Sequence, residues 1–272
     1  MKIAVLLPIH PPKFNYAVDV INSLKDKIDF YVIFTNHYEK DLYQKTYVLD
    51  FNYFVLSDYF KAEIIDLILK KNLMPVIKKI YFVSKLINDY DFIIPLDADF
   101  KIINVDLFYK ACKSFCDQKT FVGGRSSLQI SHNIIEASMK LVNQHGSFYK
   151  LNRYKNVYFW LSEIPIYEKK TTIDFFNFTN FNQRILEIIF YYDYNLFDTL
   201  SYNYFCVLEH DYQIIEINYN FSLEDCPLEI WEDVNKNIKA LYSMNHNIYR
   251  GQDVALLIHL DRTDGESYLG VS

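Results

Sequence analysis

A chain of 272 residues with 51% hydrophobic content is long enough to bury a large core, which excludes a disordered chain. The formal net charge of −6 argues against nucleic-acid binding as the main task, because no overall basic field exists to meet a phosphate backbone, and leaves room only for local basic patches. No apolar run approaches the length of a membrane span, and Met1 to Pro8 is too short in its apolar part for a secretory signal. The four cysteines, Cys112, Cys116, Cys206 and Cys226, follow no zinc spacing and read as reduced core residues. The 24 Tyr and 22 Phe beside only 6 Gly fit codon bias in an AT-rich genome, so no single Tyr or Phe is assigned a function on composition.

In chain order, Lys2 to Pro8 reads as a buried strand stopped by Pro8-Ile9-His10-Pro11-Pro12. Asn15 is a candidate cap for a helix with Val18, Ile21 and Leu24 at three-residue spacing, and Asp29 to Thr35 follows as a second strand. This β-α-β opening leaves through Thr35-Asn36-His37-Tyr38-Glu39, expected to be a polar loop on the same edge as Pro8, Ile9 and His10. After a β-like patch at Phe51 to Leu56, helices are expected over Phe60 to Lys70 and Pro75 to Leu86, the latter with Pro75 in its first turn. Val76, Ile77, Ile80, Val83 and Ile87 form its buried stripe, which leaves Lys78, Lys79 and Lys85 to a solvated margin.

The most informative stretch comes next. Phe92-Ile93-Ile94-Pro95-Leu96 reads as a sheet-core strand, and Asp97-Ala98-Asp99 stands at its exit. Residues i and i+2 of an extended segment project from one side, so Asp97 and Asp99 can face one ligand, with Ala98 keeping the position between them small. Oxygen ligands at a strand exit suit a hard cation, Mg²⁺ or Mn²⁺, which in turn suits a diphosphate. The competing interpretation of Asp-X-Asp is a solvated turn.

Val105 to Cys116 is expected to be helical with Asn104 as its cap, and Lys119 to Val122 to be a strand ending in Gly123-Gly124-Arg125-Ser126-Ser127, where the double glycine either lets backbone approach a ligand closely or makes a plain turn, with Arg125 as a candidate acceptor contact. His132 to His145 reads as a helix stopped by Gly146. Residues 147–203 lack a sustained period; within them Trp160 and Glu163 suggest a sugar platform beside an acid, against a core Trp and a capping Glu, and Asp174 adjoins Phe175-Phe176. Strands at Tyr204 to Leu208 and Ile214 to Ile217 are expected to flank a polar turn at Glu209-His210-Asp211. A helix over Leu228 to Leu241 and a last strand at Val254 to Ile258 complete the chain. No repeat, linker or composition break divides it, so one unit is expected.

The order Leu6-Leu7-Pro8, Phe34-Thr35-Asn36 and Pro95-Leu96-Asp97-Ala98-Asp99, across residues 1–125, resembles the GT-A-type glycosyltransferases. The resemblance implies an α/β fold with a Rossmann-type mixed sheet flanked by helices. It implies a single domain over 1–272, with a nucleotide-sugar half at 1–125 and an acceptor half at 126–272. It implies that Asp97 and Asp99 bind Mn²⁺ or Mg²⁺ on the donor diphosphate, that Lys79 or Lys78 reaches the same group, and that His259 or His246 is a further metal ligand. The base and ribose are expected between the loops Pro8 to His10 and Thr35 to His37. Acceptor deprotonation, where stereochemistry requires it, falls to Glu163, Asp174 or Asp211. The partners implied are a nucleotide sugar and a glycan or lipid-linked saccharide of a bacterial surface polymer, handled in the cytoplasm at the inner membrane face. Two other classes remain open: a sugar-phosphate nucleotidyltransferase, although Pro8 to Pro12 lacks its Gly-rich basic loop, and a non-catalytic glycan-binding module. A Rossmann dehydrogenase is disfavoured, since no G-x-G-x-x-G follows an early strand.

Overall fold

The computed structural model describes residues 1–98, 101–102, 104–106, 108–109, 119–125, 129–142, 157–158, 166–220, 242–243 and 256–257. Its first elements are β1 (Ile3–Pro8), α1 (Phe14–Leu24), β2 (Asp29–Phe34), α2 (His37–Gln44), β3 (Asn52–Val55), α3 (Ala62–Lys70), α4 (Met74–Leu86) and β4 (Phe92–Pro95). The continuous apolar run of β1 is buried on both faces, as a central strand of a parallel sheet requires. β1 pairs in parallel with β2 and with β4, and β2 with β3. Short β5 (Lys101–Ile102), β6 (Thr120–Arg125), α5 (Gln129–Val142) and β7 (Val157–Tyr158) precede β8 (Tyr167–Glu168), which adds to β4 antiparallel. The main sheet therefore runs β3-β2-β1-β4-β8, a mixed α/β arrangement with a mostly parallel core.

β2 lies on one side of β1 and β4 on the other, so the winding direction reverses at β1. The crevice beyond the carboxyl ends of β1 and β4 is the topological switch point, where open α/β sheets bind their ligands. Pairing continues past the strands: Ile9 N–H donates to the Ile33 carbonyl at 3.1 Å, and Leu96 N–H to the Leu6 carbonyl at 2.8 Å. The exits of β1, β2 and β4 are thereby held in line. Helix α4 packs on β1 and β4, and its Val76, Ile77, Ile80 and Val83 are all buried. A helix that leads into a parallel strand starts at the edge where the strands end, so the first turns of α4 lie beside the switch point.

The remaining elements are α6 (Lys169–Thr179), α7 (Phe181–Tyr191), α8 (Asp198–Glu209), β9 (Gln213–Asn220), β10 (Tyr242–Ser243) and β11 (Leu256–Leu257). They form helical packing around α8, a second sheet β7-β6-β9 and a third, β10-β11-β5. No helix among the described residues is long and apolar enough to cross a membrane.

Several local expectations need correction. α1 begins at Phe14, with Asn15 inside it, because the 3₁₀ turn Pro11–Lys13 already sets helical backbone ahead of it. Thr35 to Glu39 is not a loop: Asn36 caps α2, its side-chain oxygen accepting from Glu39 N–H at 2.9 Å. The Gly123-Gly124-Arg125 turn is instead the end of β6, where pairing with β9 shifts register between Gly124 and Arg125. Tyr204 to Leu208 lies in α8, not in a strand; this helix is buried nearly all round, so no polar face marks a period. α5 begins three residues before His132. Val105, Asp106, Phe108 and Tyr109 are helical as expected, and the expected helix at 228–241 lies outside the described residues.

Candidate functional site

Three strand exits build the site. From β1 come Pro8, Ile9 and His10, from β2 come Thr35 and Asn36, and from β4 come Asp97 and the buried Ala98. The adjacent lysines at the start of α4 meet this edge in different ways. Lys79 Nζ lies 2.7 Å from Asp97 Oδ1; the lysine side chain is 15% exposed and the carboxylate 43%. An ammonium thus stands where a cation is favoured by the Asp97 carboxylate.

Lys78 does not lie on a solvated margin: it is 2% exposed. Its Nζ donates to the Ile9 carbonyl at 2.7 Å and sits 3.6 Å from Glu39 Oε2. The same Glu39 oxygen accepts from Thr35 N–H at 2.6 Å. Lys78 therefore ties the exit of β1 to the capped start of α2, cross-bracing the two loops expected to flank a nucleotide base. Burial pushes its ammonium down to about 8, against the opposing charge and hydrogen bond of Glu39. The lysine was in the sequence-derived set, but Glu39 was not. The Asn36-X-X-Glu39 spacing of a capping box is the signal that would have found it.

A buried acid feels the charges of Lys79 and Asp97. Asp198, the first residue of α8, is 4% exposed and accepts from the Tyr167 hydroxyl at 2.6 Å. Burial pushes the Asp198 carboxyl up, the Lys79 charge and the Tyr167 hydrogen bond pull it down, and the Asp97 charge raises it. The Tyr167 hydroxyl is itself held well above its ordinary range by burial and by the Asp198 charge. Neither residue belongs to a recognisable motif. They meet because β8 adds to β4 with Tyr167 opposite Ile93, and because α8 packs against α4.

The other sequence-derived residues are placed as follows. Asp174 lies in α6 and pairs with His210 at 3.5 Å, just past the end of α8. Asp211 follows with a left-handed backbone, φ 56°. α8 has 12 residues and is about 18 Å long, with Asp198 at its other end. The structure thus gathers Pro8, Ile9, His10, Thr35, Asn36, Lys78, Lys79, Asp97 and Ala98 along one edge and puts Asp174 and Asp211 a helix length from Asp198. Arg125 is the last residue of β6, paired with Val157 of β7. Asp99, Trp160, Glu163, His246 and His259 lie outside the described residues.

As a metal donor, Asp97 offers a half-exposed hard oxygen at a strand exit, which suits Mn²⁺ or Mg²⁺. The Lys79 ammonium beside it shows that the position favours positive charge. Among the described residues no group of three His, Cys, Asp or Glu side chains is arranged to hold a metal.

No protein-family model matches this chain, and a search of the curated proteins found no match. Among solved structures, mouse xyloside xylosyltransferase 1 in its apo form aligns over 96% of this chain and 98% of its own, at 8% identity and a TM-score of 0.41. Residues 1–349 of S. aureus TarS align over 88% of this chain and 64% of their own, at 14% identity and a TM-score of 0.31.

Proposed function

We propose that this chain is a metal-dependent glycosyltransferase that moves a sugar from a nucleotide-diphosphate donor to a hydroxyl of a glycan or lipid-linked acceptor. The observation that carries this reading is the Lys79–Asp97 pair, 2.7 Å apart at the exit of β4, beside the β1 exit at the switch point of a parallel sheet. In this reading Asp97, with Asp99, holds Mn²⁺ or Mg²⁺. The bound cation supplies positive charge where the nucleoside diphosphate departs. Lys79 adds its ammonium to the same phosphate oxygens, a preorganised charge that matters most as the leaving group develops its own.

The base and ribose lie between the β1 and β2 exits, held in register by Lys78 and Glu39. Trp160 and Glu163 are proposed for the acceptor, as a stacking face and a hydroxyl-binding acid, with His259 or His246 as the further metal ligand. A bacterial surface glycan made at the inner membrane face is the proposed setting.

Thermal-shift measurements with a panel of nucleotides and nucleotide sugars, each with and without Mn²⁺, test the proposal. A ligand at 100 times its Kd stabilises the native state by about 2.7 kcal/mol. At least one nucleotide sugar is expected to raise the Tm of the wild type, more so with Mn²⁺, and to lose the Mn²⁺-dependent part in Asp97→Asn. A panel in which no nucleotide shifts the Tm would overturn the proposal. Release of nucleoside diphosphate on adding acceptor separates an enzyme from a binding module.

A further inference from the structure

Helix α7 carries more apolar side chains than the core takes up. Its Phe181, Ile188 and Ile189 are buried, while Leu186 and Phe190, one turn apart on the side that helical spacing turns away from them, are half-exposed. Tyr191, the last residue of the helix, is 83% exposed, and Tyr194 just beyond it is half-exposed. Among the described residues, residues 186–194 hold four of the ten exposed large hydrophobic side chains, so the exposure is concentrated rather than scattered singly. A fifth, Leu69, stands in the last turn of α3. Lys71 Nζ donates to the Phe190 carbonyl, and to the Tyr192 carbonyl at 3.1 Å, which ties the end of α3 to the end of α7.

Charge and area decide what such a face can meet. Arg184, Lys70 and Lys71 are opposed there by Glu187 and Asp193, three positive charges against two negative, and Arg184 Nε already donates to Glu187 Oε2 at 2.9 Å. Recognition of anionic lipid takes clusters of about four to eight basic residues, which this face lacks. A nearly neutral rim of both signs can instead face its own copy without repulsion, as a two-fold interface requires. The three exposed rings present on the order of 400 Å². With two leucines and the polar rim, that approaches the roughly 800 Å² that each partner contributes to a stable interface. We propose that the outer face of α7, with the end of α3, is a two-fold interface through which two copies of this chain associate. The inference is independent of the cation and nucleotide-sugar sites proposed above.

Sedimentation velocity of the purified full chain, from about 1 to 100 μM, tests it over the range where interfaces of this size dissociate. Wild type is expected to reach the mass of two chains at the upper end of that range. Phe190→Glu combined with Tyr191→Ser buries two charges against each other in any such dimer, and is expected to remain a single chain throughout. Both side chains face solvent in the single chain, so the Tm of the variant at low concentration should match that of wild type. Val48→Lys, which alters an exposed apolar residue elsewhere, should leave the dimer intact.

A wild type that stays a single chain at the highest concentration would overturn the proposal, and so would a double variant that still dimerises or a Val48→Lys chain that dissociates equally. Wild type that remains single in solution but pellets with phosphatidylcholine vesicles, with or without phosphatidylserine, would give this face to a lipid surface instead. If the double variant does not fold, Tyr191→Ser decides alone: the dimer Kd is expected to rise at least fivefold, and an unchanged Kd contradicts the interface.

Discussion

Two pairs of a carboxylate and a basic group stand at opposite ends of α8, and they differ in what surrounds them. At the start of the helix, Lys79 and Asp97 sit at a sheet switch point with the buried Asp198 behind them. Beyond its other end, His210 and Asp174 lie 3.5 Å apart, with the Asp174 side chain 44% exposed. Surface pairs of the second kind contribute about 0–1 kcal/mol and are screened by salt. The first kind lies where strand ends meet the start of a helix, and its charges act on a second, buried acid, Asp198. A carboxylate and a base in contact are common; the surrounding fold is what gives a pair a ligand to act on.

The largest expected effect breaks the first pair. Asp97→Asn should lower glycosyl transfer 100- to 1,000-fold, the scale seen when one preorganised stabilising group is removed, and should move the Tm little. A variant that keeps full turnover in EDTA would show that Asp97 serves neither metal nor leaving group.

The next effect concerns the brace behind the site. The native ammonium of Lys78 titrates near 8, below its ordinary 10.5, so between those values the unfolded chain binds a proton that the native chain does not. Stability arising from this group therefore rises with pH across that window, by about 3 kcal/mol at most. Below it the cost of burying the charge is present in full. Urea melts from pH 7 to 10.5 should show wild type gaining stability relative to Lys78→Met as pH rises. A constant difference would mean that Lys78 is not buried as a cation. Because Tyr43, pushed up to about 12 by burial, changes the curve above pH 10 in both proteins, the difference between them isolates the lysine.

A smaller change sharpens the link between cap and site. Asn36→Ala removes the acceptor for Glu39 N–H and should cost about 1 kcal/mol. It should also weaken nucleotide binding, since Glu39 connects that cap to Lys78. Unchanged nucleotide affinity would detach the brace from the site. The smallest expected effect lies at the far end of α8: Asp174→Asn should alter stability by less than about 1 kcal/mol and turnover by less than twofold. A tenfold loss of turnover with unchanged donor affinity would instead make that end the acceptor site.

Much of the first half was legible because its local signals agree. The apolar runs of β1, β2 and β4, the prolines after β1 and the stripe of α4 all point to one β-α-β sheet, and Asp97 stands where such a strand must end. The later half was less legible for a physical reason. α8 is buried on nearly every side, so Tyr204 to Leu208 carries no polar face to show a helical period, and a buried strand has the same signature.

The sequence by itself determined an α/β chain with a parallel opening unit, the edge on which Pro8, Thr35 and Asp97 emerge, and two lysines one turn into the helix before β4. Only the tertiary structure decided that these neighbouring lysines do different work. Helix periodicity placed both near a polar margin, but the exits of β1 and β2 close over Lys78, while β4 presents Asp97 to Lys79. It also decided that Tyr167 and Asp198, 31 residues apart, meet behind that pair. Local propensity acts over a few residues, whereas a buried charge finds its partner through sheet order and helix packing, which bring distant parts of the chain together.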